Sequence, residues 1–116
     1  MDEEAQAAAA RLVRRLKGGY TVTIAESCTG GLLASTLTDI AGASAWFNQA
    51  WVTYSYEAKI QELNVSRELL EKKGAVSAEV AIQMAQGALA RANADIAISI
   101  TGIAGPGNDG TTKKIG

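Results

Sequence analysis

Short runs of β-branched and aliphatic residues alternate along this chain with stretches whose apolar residues recur every three or four positions, and that alternation leaves few architectures open. Residues 20–25 (YTVTIA) and 95–100 (DIAISI) are rich in the side chains that fill buried strands, and residues 50–55, closing the segment AWFNQAWVTY, form a third such run. Before the first run, Ala5, Ala8, Ala9, Leu12, Val13 and Leu16 lie on one helical face that ends at Gly18-Gly19. After it, residues 32–40 (LLASTLTDI) keep helical spacing at Leu32, Leu33, Ser35, Thr36 and Leu37. Residues 56–63 read as a short helix ending near Asn64, and Ser66 is placed to cap a second, 67–73, that Gly74 stops. Ser77 is placed to cap a longer helix over 78–92, with Val80, Ala81, Met84, Ala85, Ala88 and Leu89 on one face. Strands separated by helices imply an α/β domain around a largely parallel sheet, and in such sheets ligands bind at the carboxyl ends of the strands.

The 116 residues suit one domain, with no repeat, linker or low-complexity tract. The absence of histidine narrows the chemistry most: Ser-His and Cys-His nucleophilic systems and histidine-based zinc sites are excluded within the chain, which leaves Lys, Tyr, Asp or Glu as a general base. No metal site and no cofactor is expected. A single cysteine, Cys28, cannot form an internal disulfide and fits a reducing, cytoplasmic setting. The net charge of −1 gives no field for nucleic acid, and Arg11, Arg14, Arg15 and Lys17 read as a solvated helix face beside Asp2, Glu3 and Glu4. No apolar run reaches membrane-spanning length, and the start MDEEAQAAAA lacks the order of a signal peptide.

Two glycine-bearing loops follow predicted strands. In Glu26-Ser27-Cys28-Thr29-Gly30-Gly31 a hydroxyl nucleophile would sit near a helix start, with glycines that let backbone approach a ligand; equally, Ser27 or Thr29 could simply cap that helix. Cys28 reads as a small packed thiol. In residues 101–107 (TGIAGPG) successive amides could hold an oxyanion or phosphate, or the string is an ordinary turn; it matches neither a Walker loop nor a dinucleotide fingerprint. Between these loops, Tyr54-Ser55-Tyr56-Glu57-Ala58-Lys59 opens a helix that places Tyr56 and Lys59 on one face. A desolvated Lys59 could take a proton from a serine hydroxyl, whereas a surface Lys59 would pair with Glu57 or Glu62.

Five strings taken in order resemble the CinA C-terminal domain family, the nicotinamide-nucleotide amidases. They are Ala25-Glu26-Ser27-Cys28-Thr29-Gly30-Gly31; Asp39-Ile40-Ala41-Gly42 with Ser44-Ala45-Trp46-Phe47; Val52-Thr53-Tyr54-Ser55 with Glu57-Ala58-Lys59; Gly74-Ala75-Val76-Ser77; and Thr101-Gly102-Ile103-Ala104-Gly105-Pro106. The resemblance implies a three-layer α/β/α sandwich with a largely parallel or mixed central sheet. It implies hydrolysis of nicotinamide mononucleotide to nicotinic acid mononucleotide and ammonia, in pyridine-nucleotide salvage. By position, Ser27 resembles the family nucleophile, Lys59 its base and Tyr56 an auxiliary hydroxyl. Glu26, Thr29, Gly30, Gly31, Tyr54, Ser55, Thr101 and Gly102 resemble the surroundings of the substrate. Lys113-Lys114-Ile115-Gly116 stands where Lys-Pro-Val-Gly is more usual. The family continues with further strands and a closing helix, so the chain is expected to be truncated at its carboxyl end. The expected partner is a small nucleotide substrate, with no nucleic acid or membrane and a homodimeric assembly. The alternatives are a non-catalytic nucleotide-binding or regulatory module linked to competence and DNA damage, and a dimerisation module with Trp46, Phe47 and Trp51 at its interface.

Overall fold

The protein is described here over residues 3–103 of a computed structural model. The order is α1 (Glu3–Leu16), β1 (Val22–Glu26), α2 (Leu32–Thr38), a 3₁₀ turn (Ala43–Ala45), β2 (Phe47–Val52), α3 (Tyr56–Leu63), α4 (Arg67–Lys73), α5 (Ala78–Ala92) and β3 (Ile96–Ile100). The strands form one sheet in the order β2-β1-β3, and β1 runs parallel to both neighbours. Parallel neighbours need crossover connections, and the helical segments supply them.

Every residue of β1 is buried, because helices cover both faces of the sheet. Alternation along the strand divides its side chains. Val22 and Ile24 enter a core with Val13, Leu16, Leu37, Ala43 and Trp46, under α1 and α2. Ala25 enters a second core with Leu63, Val65, Leu70, Val80, Met84 and Ala88, under α3, α4 and α5. The architecture is therefore a three-layer α/β/α sandwich. Helices of seven or eight residues, such as α2, α3 and α4, do not persist alone in water. Leu37, Leu63 and Leu70 are at most 1% exposed, and each such burial contributes about 1.5–3 kcal/mol. Packing, rather than propensity, holds these short helices in place.

Helix ends follow side-chain chemistry closely. Ser55, Ser66 and Ser77 cap α3, α4 and α5 by accepting from the N–H three residues on, and Asn64, Gly74 and Asn93 end them with positive φ. Ser77 also donates to Gly74 O at 3.0 Å. Ser77→Ala is expected to destabilise the fold by about 1 kcal/mol, read as a lower urea midpoint at constant slope; an unchanged midpoint would show that solvent replaces the cap without loss.

Strand limits differ from the sequence-based expectation. β1 starts at Val22, and Tyr20 lies outside it, exposed. β2 covers Phe47–Val52 instead of residues 50–55, since its register runs from Val22↔Phe47 to Glu26↔Val52, with one irregularity between Val22 and Ile24. Ser55 has to turn outward to cap α3 and is not available to the sheet. Ala8, expected on the apolar face of α1, is exposed. Trp46, which the dimerisation alternative would place at a subunit interface, is 4% exposed and packs edge-on against Phe47 in the first core, while Trp51 packs against the second. The aromatic trio is thus divided between two interiors. The Ala5 side chain, the glycine-rich run from Ala104 to Gly110 and the string ending at Gly116 lie outside the described residues. Among the described residues no helix is long and apolar enough to cross a membrane.

Candidate active site

Because β1 lies between β2 and β3, the three segments leaving the carboxyl ends of the strands emerge side by side. The Ser27 N–H donates to Ile100 O at 3.0 Å, and the Thr53 N–H donates to Glu26 O at 2.9 Å. The first bond extends pairing one residue past β1 and the second one residue past β2, and together they hold the backbone at Glu26-Ser27 between the exits of β3 and β2.

The second group arrives from α3. Ser55 accepts from Ala58 N at 3.0 Å, and this cap sets the first turn of the helix over the sheet. Lys59, in the next turn, points inward and is fully buried, while Ser27 is 6% exposed. Lys59 Nζ lies 2.9 Å from Ser27 Oγ, and donates to Thr53 O at 2.7 Å and Tyr54 O at 3.1 Å. Burial pushes the Lys59 amine below its ordinary value of 10.5. A neutral amine has two N–H donors and one lone pair. In the neutral form the two carbonyls would take the donors and leave the lone pair facing the Ser27 hydroxyl; in the ammonium form all three contacts are donated by Nζ. A proton moving from Ser27 to Lys59 would change none of the three contacts.

The surface alternative for Lys59 does not hold. Glu57, its expected partner, instead forms a two-point pair with Arg67 at 2.8 and 3.0 Å on the exposed side of α3. The cap alternative for Ser27 and Thr29 does not hold either. The N-cap position of α2 is Gly31, with φ of 102° and no side-chain cap. Glu26 does the capping from the end of β1: its carboxylate accepts from Leu33 N at 3.0 Å and Ala34 N at 2.9 Å, and from Thr29 Oγ1 at 2.6 Å. Gly30 and Gly31 both have positive φ, 63° and 102°, a backbone conformation that favours glycine in this turn.

Several residues expected around the substrate have other partners. Glu26 is 0% exposed, and both of its carboxylate oxygens accept hydrogen bonds from within the chain. Ser55 caps α3, and Thr101 Oγ1 donates to Ala75 O at 2.9 Å. Tyr54 is exposed and contributes its carbonyl to Lys59. Tyr56, the expected auxiliary hydroxyl, is the first residue of α3, is 44% exposed and makes no hydrogen bond to Ser27 or Lys59. Cys28 is only half-buried. The Thr53 carbonyl was not anticipated, because a backbone acceptor leaves no mark in side-chain identity. Gly102 is half-buried. A cavity of about 480 Å³ opens at the end of β3, lined by Val76, Ser77, Ala78, Ala81, Ser99, Ile100 and Thr101. A second, of about 500 Å³, lies between α1 and α2, and neither lining includes Ser27 or Lys59. Among the described residues no three His, Cys, Asp or Glu side chains converge as a metal site.

The profile of the CinA C-terminal domain matches residues 4–116. The chain belongs to that family. Its CinA relatives include the protein named nicotinamide-nucleotide amidohydrolase PncC from Escherichia coli K12, 56% identical over 98 residues. The match covers 84% of this chain and 59% of that protein. A CinA-like protein from Geotalea daltonii is 53% identical over 100 residues, covering 86% of this chain and 24% of that protein. The chain thus spans about three-fifths of the first and about a quarter of the second. Among solved CinA structures, the competence damage-inducible protein A of Klebsiella pneumoniae superposes with a TM-score of 0.90 at 41% identity, covering 93% of this chain and 68% of that one. The competence/damage inducible protein CihA of Agrobacterium tumefaciens gives 0.87 at 47% identity, covering 92% and 66%.

Proposed function

We propose that this CinA domain is an amidohydrolase that converts nicotinamide mononucleotide to nicotinic acid mononucleotide and ammonia, as a step of pyridine-nucleotide salvage. The observation that carries the proposal is the 2.9 Å approach of Lys59 Nζ to Ser27 Oγ, inside the protein and in a chain without histidine. The likeness to a protein named for that reaction supports the choice of substrate.

Amide hydrolysis needs an activated nucleophile, donors for the tetrahedral oxyanion and a proton for the departing amine. Lys59 takes the Ser27 proton as Oγ attacks the carboxamide carbon. The protonated amine, still held by Thr53 O and Tyr54 O, then gives that proton to the leaving nitrogen, which departs as ammonia. Water attacks the resulting ester, loses a proton to Lys59 and restores the Ser27 hydroxyl as the acid leaves. No hydrogen bond within the described residues uses the N–H of Cys28 or Thr29. These amides follow the nucleophile directly and are the donors assigned to the oxyanion. The cavity at Ile100 and Thr101 is assigned to the body of the nucleotide, since the Ile100 carbonyl accepts from the Ser27 N–H beside it; Gly30, Gly31 and Gly102 are assigned as close backbone from the family strings. Tyr56 and the engaged side chains of Glu26 and Ser55 have no part in the proton path.

Ammonia release from nicotinamide mononucleotide tests the proposal. Ser27→Ala is expected to lower kcat/KM by about 1,000-fold or more. Tight nucleotide binding with no ammonia release by the wild type would instead favour a regulatory module, the role suggested by relatives named for competence and damage. The pH profile has a fixed sign. Only the neutral amine accepts the proton, so kcat/KM is expected to rise with pH through the Lys59 value, at a midpoint below 10.5. Activity that does not fall on the acid side would remove Lys59 as the base.

A further inference from the structure

Glu26 is a carboxylate with no exposed surface, immediately before the nucleophile. A buried carboxylate is retained only if its oxygens are satisfied, and three donors reach this one: Thr29 Oγ1, Leu33 N and Ala34 N. The donors span the whole turn from β1 into α2. The backbone of Glu26 adds a further connection, since its carbonyl accepts from Thr53 N while the Thr53 carbonyl accepts from Lys59 Nζ. One residue therefore joins the loop that bears Ser27, the start of α2 and the strand end that holds the lysine. We infer that Glu26 is a positioning residue: its carboxylate clamps the turn at residues 27–31 through Thr29, Leu33 and Ala34, and so fixes Ser27 Oγ against Lys59 without touching the substrate.

The inference rests on the amidohydrolase proposal for its kinetic consequence, but not for its structural one. Glu26→Gln keeps size and shape, yet its amide N–H₂ must face one of three donors, and a donor cannot accept. The clamp then loses at least one arm. Thr29→Val removes only the hydroxyl arm and leaves the core untouched, which covers the case in which the glutamine variant fails to fold. The experiment measures ammonia release by wild type and both variants, together with backbone hydrogen exchange. A misplacement of a few tenths of an ångström to one ångström at the nucleophile is expected to lower kcat by about 10- to 100-fold in Glu26→Gln, with KM within about twofold. Thr29→Val is expected to lower kcat less, in the same direction. Exchange at Leu33 and Ala34 should speed up in Glu26→Gln while α5 keeps its protection. An unchanged kcat overturns the inference, and so does a raised KM at constant kcat, which would make Glu26 a ligand group. If wild type releases no ammonia, the amidohydrolase proposal fails separately. Exchange then decides the inference: unaltered protection at Leu33 and Ala34 rejects the clamp.

Discussion

Lys59→Met is expected to abolish ammonia release, by about 1,000-fold or more, and to leave the fold at least as stable as the wild type near neutral pH. Lys59 is fully buried, and burying an ammonium costs several kcal/mol whether the group stays charged or gives up its proton. Methionine has similar length, is apolar and adapts to irregular space. Against that gain, Thr53 O and Tyr54 O lose a donor and Ser27 Oγ loses its partner, a loss of about 1 kcal/mol for each of the three contacts. Relief of desolvation is the larger effect, so function and stability should separate at this one side chain. Stability should also lose part of its pH dependence. Burial lowers the Lys59 value in the folded protein, so between that value and 10.5 the unfolded chain binds a proton that the folded chain does not. Wild-type stability therefore rises with pH through that window, and the destabilisation is complete below it. The methionine variant lacks this contribution, so its advantage should be greatest on the acid side and shrink toward 10.5. Urea unfolding at several pH values checks this. Parallel pH profiles for the two proteins would mean that the amine is not desolvated, and the proposed base would go with it.

Gly87→Ala is expected to destabilise the protein by about 2–4 kcal/mol and to lower activity as well. Gly87 lies inside α5, where alanine would normally gain about 1 kcal/mol of helix propensity. Here a Cβ would stand 2.0 Å from Leu63 O, 2.7 Å from Leu63 C and 2.9 Å from Leu63 Cα. All three are backbone atoms at the end of α3, and no rotamer change relieves them. The overlap outweighs the propensity gain, and α3 has to move away from α5. Lys59 is one turn from Leu63 on the same helix, so the movement draws the amine from Ser27. A urea midpoint equal to that of the wild type would show that the helices are not packed this closely. Lost stability with full activity would show that α3 yields only at its far end.

Much of the fold was legible because its signals are local. Ser55, Ser66 and Ser77 accept from an N–H three residues away, and Asn64, Gly74 and Asn93 tolerate positive φ, so the ends of α3, α4 and α5 depend on short stretches of sequence. Strand limits were less legible. Phe47, Asn48 and Gln49 belong to β2 because β1 offers partners to them, as in the bond from Thr23 Oγ1 to Gln49 O at 2.7 Å. Nothing local to Asn48 or Gln49 calls for a strand. The cap of α2 was sought in a hydroxyl next to the helix, whereas Glu26 reaches it across the turn from the preceding strand. An acidic residue closing a strand before a glycine turn was the available sign.

By itself the sequence determined the α/β order of elements, the caps, the exclusion of histidine chemistry and the family strings around Ser27 and Lys59. The tertiary structure alone decided that the lysine is buried rather than paired with Glu57, and that the Glu26 carboxylate accepts from Thr29, Leu33 and Ala34 across the turn. Ser27 and Lys59 are 32 residues apart, and their contact exists only because β2 lies beside β1 in parallel, with α3 folded back over the sheet. Burial and desolvation arise from that packing. A residue type fixes what a side chain can donate or accept, and its neighbours in space fix how freely it holds a proton.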